Sequence, residues 1–458
     1  MRRSRLKLRI ARQLQNIVTE PFKKFMQANS LGGNLLLVAL VIGMVWANSS
    51  FAEQYYALWE ESYLGVFLDG FILQKSLHHW LNDGLMAIFF FLIGLEIKRE
   101  LLVGELSVWR KALFPVAAAA GGMIMPAVFF TALQGGSPET LRGWAIPTAT
   151  DIAFALGVLS LLGKRVPITM KIFLTALAIV DDIGAILLIG LFYSPAPVWE
   201  WLGTGVGIFA FMLYLNRSGV RNVSSYLGLA VLLWGAILFS GVHATLAGVL
   251  AAFAIPVQTR ISRAKAAEKG DALTRKLQTL SSSEKNVLAD PVYHDVLAQI
   301  AKLYQDAGTP LQRLEHALHP TVAYAILPLF ALANGGVTIQ AELLGSVAEP
   351  LSLGIIVGLS LGKPAGIVSV CWLLEKLGVA ERPSGMSWRQ MWSAGCFAGI
   401  GFTMAIFIAN LAFVEVRFLE SAKLAILLAS LASTFLGVAL LLGGGNAFKS
   451  ETSLEKKA

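Results

Sequence analysis

Charge is what this sequence has least of. Of its 458 residues, 14% are Asp, Glu, Lys or Arg, against about 25% in a soluble domain. That is too few to cover a water-facing surface of this size, and mean hydropathy is +0.65. Disordered, collagen-like and coiled-coil chains are excluded by the same composition. Cysteine is also scarce: Cys371 and Cys396 both lie in apolar stretches and supply neither a zinc site nor a disulfide framework. No metal cofactor or other cofactor is expected. The formal charge of +8 would suggest nucleic acid in a soluble protein, but its distribution along this chain points to a lipid bilayer instead, and no nucleic-acid partner is expected.

What is abundant is long apolar runs. A hydrocarbon core of about 30 Å takes about 20 helical residues. By that ruler the sequence predicts an all-α polytopic membrane protein of twelve transmembrane helices, near 31–47, 80–97, 112–134, 144–162, 168–193, 198–215, 223–240, 242–257, 321–338, 351–377, 393–413 and 421–444. The nearly uncharged stretch Val223–Pro256 is too long for one crossing, so it is divided at Ser240-Gly241. The chain then divides into a basic segment 1–30, spans 1–8 over 31–257, a loop or insertion 258–320, spans 9–12 over 321–444, and a tail 445–458.

Bases set the orientation. The first 24 residues hold eight (Arg2, Arg3, Arg5, Lys7, Arg9, Arg12, Lys23, Lys24) against Glu20 alone. The turns after spans 2, 4 and 6 add Lys98, Arg99, Arg110, Lys111, Lys164, Arg165, Arg217 and Arg221, whereas the opposite loops hold only Lys75, Arg142 and Arg417. Both termini are therefore expected in the cytoplasm, and the first apolar run is read as a span, not a cleaved signal.

Two segments outside the spans stand out. Loop 48–79 contains Asp69-Gly70 between apolar runs, the signal of a short hairpin; an apolar hairpin outside the membrane needs a partner surface, so a homodimer through 48–79 is expected unless the segment is re-entrant or interfacial. Loop 258–320 carries nine bases and seven acids. Within it Pro291–Leu303 reads as helical, with Asp290 as cap, and the rest as linker in a solvated insertion.

Ionisable residues inside spans cost about 2.5–3.5 kcal/mol at a helix centre on insertion scales. Five stand out: Asp83, Asp151, Asp181, Asp182 and Lys363. Asp83 lies at a span edge, where an interfacial reading serves equally. Asp181 and Asp182 are at the midpoint of span 5, Lys363 midway along span 10, and Asp151 a third of the way into span 4. Adjacent helical residues diverge by about 100°, so one aspartate can meet an ion while the other meets a second helix, such as that bearing Lys363. Salt bridges that merely join helices are the plainer account, but buried pairs are weak glue and two adjacent acids are harder still to explain so. Carboxylate oxygens suit hard cations, and burial beside a like charge brings protons into competition for them. Competition at one site exposed alternately to each side is ion/proton exchange. Span 4 is interrupted around Pro147, Thr148 and Thr150, span 11 by Gly395, Gly399 and Gly401, and Pro364 follows Lys363. Two interrupted helices in opposite halves point to a transporter site, with Asp151 and Lys363 placed to balance half-helix dipoles.

The strings ATDIAFALG (149–157), ALAIVDDIGA (176–185), VHATLAG (242–248), GKPAG (362–366) and GIGFTM (399–404) resemble the NhaA family of bacterial sodium/proton antiporters, and the resemblance runs from about Ser30 to Gly445. It implies inverted repeats with two discontinuous helices, spans 4 and 11, crossing at mid-membrane, an architecture that enters with the family. It implies Na+ or Li+ and H+ bound at Asp182 with Asp181, Asp181 paired with Lys363 in one state, and Thr150 and Asp151 at the crossing. It also implies electrogenic exchange by alternating access in a bacterial inner membrane, more than one proton entering per sodium exported, activated at alkaline pH and serving pH and sodium homeostasis. The family's pH-responsive cluster maps onto Glu96, Arg99, Glu100, Glu315, His316 and His319. Two departures are the long basic N-terminus and an insertion of about 40 residues ahead of Glu315, which puts inherited pH sensitivity in doubt.

Other classes fit less well. A prenyltransferase needs a third acid in DDxxD, where this chain has Asp181-Asp182-Ile183-Gly184-Ala185, and no GxGD-like turn of an intramembrane aspartyl protease occurs; an enzyme is not expected. A channel would line a continuous path with rings of charge or carbonyls. A carrier of organic anions would want basic groups at the centre, where only Lys363 is available.

Overall fold

The computed structural model describes residues 31–68, 71–280, 290–383 and 385–443. The basic segment 1–30, the tail 445–458 and the Asp69-Gly70 turn lie outside them.

In chain order, helix α1 (Leu31–Ala47) is followed by strands β1 (Tyr63–Leu68) and β2 (Phe71–Ser76), antiparallel with Tyr63 opposite Ser76 and Leu68 opposite Phe71. Next come α2 (Met86–Val103), α3 (Trp109–Leu133), α4 (Ile152–Leu161), α5 (Ile168–Phe192), α6 (Trp199–Arg217), α7 (Val223–Ser240) and α8 (Thr245–Ala254). The insertion contributes α9 (Arg263–Leu280) and α10 (Pro291–Ala307). The chain closes with α11 (Pro310–Asn334), α12 (Pro350–Lys376), α13 (Trp388–Ala398), α14 (Phe402–Ala412) and α15 (Val416–Leu442).

Among the described residues six helices are long and apolar enough to cross a bilayer: most of α3, and α5, α7, α11, α12 and α15. Two bent pairs raise this to eight: Pro138–Thr148 with α4, bent by 46°, and α13 with α14, bent by 44°. The other stretches read as spans are α1 and α8, which are shorter apolar helices, α6, and α2, whose last turns carry Glu96, Lys98, Arg99 and Glu100. At 10 residues, α8 is only about 15 Å long. Gly241 ends α7 in the left-handed region, φ +83°, a conformation that only glycine adopts readily.

The chain forms two compact units. The first gathers the described residues of 1–86, 100–194 and 320–458. Its closest helix contact is α3 on α12, where a side chain on Gly366 would run into the Gly121 carbonyl and one on Gly121 into Gly366 and Val370. This backbone-to-backbone approach is the use of small residues that membrane helices favour.

The second unit comprises 87–99 and 195–319, with a core that includes Phe91, Leu95, Met212, Tyr226, Leu233 and Ala251. Here α8 ends against three other segments. Lys98 donates to the Phe253 and Ile255 carbonyls, both at 2.6 Å, Asn216 to that of Ala254 at 2.9 Å, and the Leu311 N–H to that of Pro256 at 3.3 Å. Carbonyls that a helix end leaves without partners are thus met by tertiary donors. Burial pulls the Lys98 ammonium down to about 8.

The insertion is more ordered than the sequence reading allowed. Asp290 caps α10, accepting the Val292 and Tyr293 N–H groups, as expected, but the stretch read as linker contains the 18-residue α9. The reason is a sparse amphipathic stripe: Leu273, Leu277 and Leu280 stand at helical spacing in an otherwise polar run, Leu273 is buried, and α9 packs along α10. The base is clasped by Arg260, whose N–H donates to the Asp306 carbonyl at 3.1 Å and whose guanidinium meets the Asp306 carboxylate at 3.3 Å.

Candidate functional site

The first unit holds both interrupted spans, and their breaks touch. The chain before α4 runs as a 3₁₀ helix to Thr148, and from Ala149 it is extended. The Asp151 N–H donates to the Ile400 carbonyl at 2.7 Å, and the Thr150 hydroxyl to the Ala398 carbonyl at 2.7 Å. Asp151 then serves two helices at once. Its Oδ1 accepts the Phe154 N–H at 2.9 Å, capping α4. Its Oδ2 accepts the Thr403 N–H at 3.0 Å and the Thr403 hydroxyl at 2.5 Å, capping α14. A carboxylate between two helix N-termini faces two positive dipole ends. Ser430, on α15, accepts the next free donor, the Phe402 N–H. Gly399 is required by proximity: a Cβ there would collide with the Leu359 carbonyl.

Beside the breaks lie the other charges. Asp181, Asp182 and Lys363 are 2%, 3% and 0% exposed. Lys363 Nζ meets Asp181 Oδ2 at 2.5 Å and also donates to the Thr148 carbonyl, the C-terminal end of the 3₁₀ segment. The ammonium thus balances the opposite pole of the same broken span. A π-helical turn over Gly358–Gly362 precedes Lys363, and Pro364 follows it. Asp182 lies within electrostatic reach of the same ammonium, and the Thr150 hydroxyl neighbours Asp181. Asp181 Oδ1 is buried and accepts no hydrogen bond among the described residues. Two carboxylates share one ammonium, so the cluster carries one net negative charge when all three are ionised.

The structure therefore brings Asp181, Asp182, Lys363 and Thr150 together. Asp151 sits at the breaks with both oxygens committed as caps, not turned toward a ligand. Three contributors had no clear signal in the sequence: Thr403, Ser430 and the Thr148 carbonyl. Thr403 lies in the GIGFTM string, but nothing in its spacing announces that it will meet Asp151, 252 residues away.

Of the residues expected to respond to pH, the second unit joins Arg99 to Glu315 at 3.2 Å. Glu96 and Glu315 are buried, His316 is exposed and His319 half-buried on the next turn of α11. Glu100 falls one turn beyond Glu96 on α2, in the first unit. Lys98, which the sequence marked only as a topogenic base, lies in the same stretch of α2 with its ammonium committed to the end of α8.

Comparison with known proteins returns one consistent result. The family model described as Na+/H+ antiporter 1 matches residues 23–441. A protein named Na(+)/H(+) antiporter NhaA from Oleidesulfovibrio alaskensis is 50% identical over 421 residues, covering 92% of this chain and 93% of that protein. One of the same name from Helicobacter pylori is 44% identical over 432 residues, 94% of this chain and 97% of its own length. Na(+)/H(+) antiporter NhaA 2 of Helicobacter hepaticus is 44% identical over 419 residues, 91% and 94% of the two chains.

Proposed function

Because this chain belongs to the Na+/H+ antiporter 1 family, a family of transporters and not enzymes, we propose that it exports Na+ or Li+ against an inward flow of protons through the Asp181–Asp182–Lys363 cluster. The observation that carries this reading is a buried Asp181 Oδ1 that accepts no hydrogen bond among the described residues, in a cluster of two carboxylates and one ammonium. In a low-dielectric interior such a charge is costly unless neutralised. A small hard cation neutralises it by taking oxygens of Asp181 and Asp182; a proton neutralises it by binding one of the same oxygens. The two therefore compete at one place, and exposing that place first to one side and then to the other exchanges them.

The rest follows from the same cluster. Asp182 is the main cation ligand and Asp181 its partner, with Lys363 holding Asp181 when no cation is present. Thr150 and Asp151 line the crossing of spans 4 and 11, Asp151 by fixing two helix ends. Loading more than one proton per sodium moves net charge and makes the cycle electrogenic. The full architecture is twelve spans in inverted repeats, with both termini on the base-rich cytoplasmic side of a bacterial inner membrane and the β1–β2 hairpin on the other side, pairing two copies. Alkaline activation is assigned to Glu96, Arg99, Glu100, Glu315, His316 and His319, and the role served is pH and sodium homeostasis.

The test is sodium- or lithium-driven collapse of an imposed pH gradient in everted membrane vesicles between pH 6.5 and 9. Wild type is expected to release protons on adding either ion, and Asp182→Asn, inserted to the same level, to release none. No response from well-inserted wild type at any pH would overturn the reading.

A further inference from the structure

A second polar cluster lies in the first unit, at the end that carries the hairpin. Its centre is Asn334, the last residue of α11 and 0% exposed. Every hydrogen-bonding position of its amide is used. Nδ2 donates to the Phe330 carbonyl at 3.2 Å and to Asn82 Oδ1 at 3.3 Å. Oδ1 accepts from Asn410 Nδ2 at 2.7 Å and meets His78 Nε2 at 3.0 Å. The Phe330 carbonyl fixes which way the amide points, because only an N–H can face it. Oδ1 then faces His78 Nε2, which also lies 3.3 Å from Asn82 Nδ2. Burial holds His78 neutral, its pKa pulled down to about 4.

Three chain segments meet here: the His78–Asn82 turn before α2, the end of α11, and α14. One turn inward from Asn334 and Asn410, Phe330 and Phe407 pack with ring centroids 6.4 Å apart. Asn410 is joined to the cluster by a single bond, the 2.7 Å N–H to Asn334, and its Oδ1 is buried without a partner among the described residues. Asn410 is also seven residues from Thr403, two helical turns along the same face of α14. This half-helix is thus tied at both ends of one stripe, to Asp151 at the breaks and to Asn334 at the hairpin end.

We propose that Asn334 is a positioning residue of the exchange cycle, a latch that holds α14 against the segments before α2 and at the end of α11, and that release of Asn410 from it opens the path from the hairpin side to the paired breaks. A rigid half-helix passes the displacement at Asn410 to Thr403, and so to Asp151. The transport arm of the test rests on the exchange reading above; the labelling arm does not.

Both arms use the full chain, reconstituted, with Cys371 and Cys396 replaced by serine and a reporter cysteine at Ile406→Cys, one turn inward of Asn410. Asn334→Ala and Asn410→Ala are expected to raise labelling of the reporter by a membrane-impermeant maleimide from the hairpin side at least fivefold. Without the reporter, they are expected to shift the ratio of apparent sodium KM measured on the two faces at least threefold, and Asn410→Gln, which keeps the amide donor, to return most of that shift. Unchanged labelling and an unchanged KM ratio in folded protein would overturn the latch. Should Asn334→Ala fail to fold, Asn410→Ala, at a half-buried position, decides by itself. Should wild type move no protons with sodium, the exchange reading falls while the labelling arm still judges the latch.

Discussion

Lys363 illustrates what a single side chain does in this molecule. Its ammonium is paired with Asp181, and removing one partner of a buried pair leaves the other as an uncompensated charge, at a cost of about 3–5 kcal/mol. Lys363→Met is therefore expected to lower the melting temperature of the purified protein sharply, and Lys363→Met/Asp181→Asn to recover most of the loss; equal melting of the single and double variants would contradict the pairing. His78 gives a pH dependence with a definite sign. Its pKa falls from the ordinary 6.5 to about 4, chiefly through burial, so between those values the unfolded chain binds more protons than the folded one. Stability is then retained above pH 6.5 and declines as pH falls toward 4. Thermal melts between pH 7 and 4.5 should show that decline, and His78→Gln should flatten it. At this scale the sequence was informative where charge stood in an apolar run, which is why Asp151, Asp181, Asp182 and Lys363 stand out in it. It was silent on Asn334, because an asparagine near a span end carries no compositional signal.

Helices show the same division. The interruptions of spans 4 and 11 were readable from Pro147 and from Gly399 and Gly401, since these residues weaken a helix for known steric reasons. That the breaks would meet came only with the family resemblance, and the bond from Asp151 to Ile400 was not readable, because it depends on the packing of segments some 250 residues apart. The approach of α3 to α12 at Gly121 and Gly366 leaves no room for a Cβ. Gly366→Leu is expected to force the helices apart and to abolish stable insertion or lower thermal stability, measured by fluorescence-detected gel filtration, while the same change at Gly203, which faces open space, should be neutral. Helix α9 was missed because its apolar residues are few and its charge is high, so the stripe at 273, 277 and 280 was lost in a polar average. Placed immediately before the segment with Glu315, the α9–α10 pair is expected to set the pH of half-activation. Deleting 264–305 should shift the profile of sodium-dependent proton release, and an unchanged profile would remove the insertion from pH control.

For the molecule as a whole, the two units separate tasks. The breaks, the charged cluster and the Asn334 network all belong to one; the Arg99–Glu315 pair, Lys98 and the insertion belong to the other. The β1–β2 hairpin belongs to the first unit, and removing residues 63–76 is expected to convert a dimer into a monomer by light scattering in detergent while sodium-dependent proton release persists; a dimer surviving the deletion would move the contact elsewhere.

The clasp between Arg260 and Asp306 has a consequence beyond holding two helices. Within the second unit the chain passes Arg260 and returns to within hydrogen-bonding distance of it at Asp306, so the 45 residues between form an excursion whose ends are already joined. Lengthening such a loop changes closure entropy only slowly, and the segments that bracket it need not shift to accommodate a replacement. The excursion is in that sense a socket: a binding domain or a fluorescent reporter grafted between Arg260 and Asp306 inherits a fixed two-point mount.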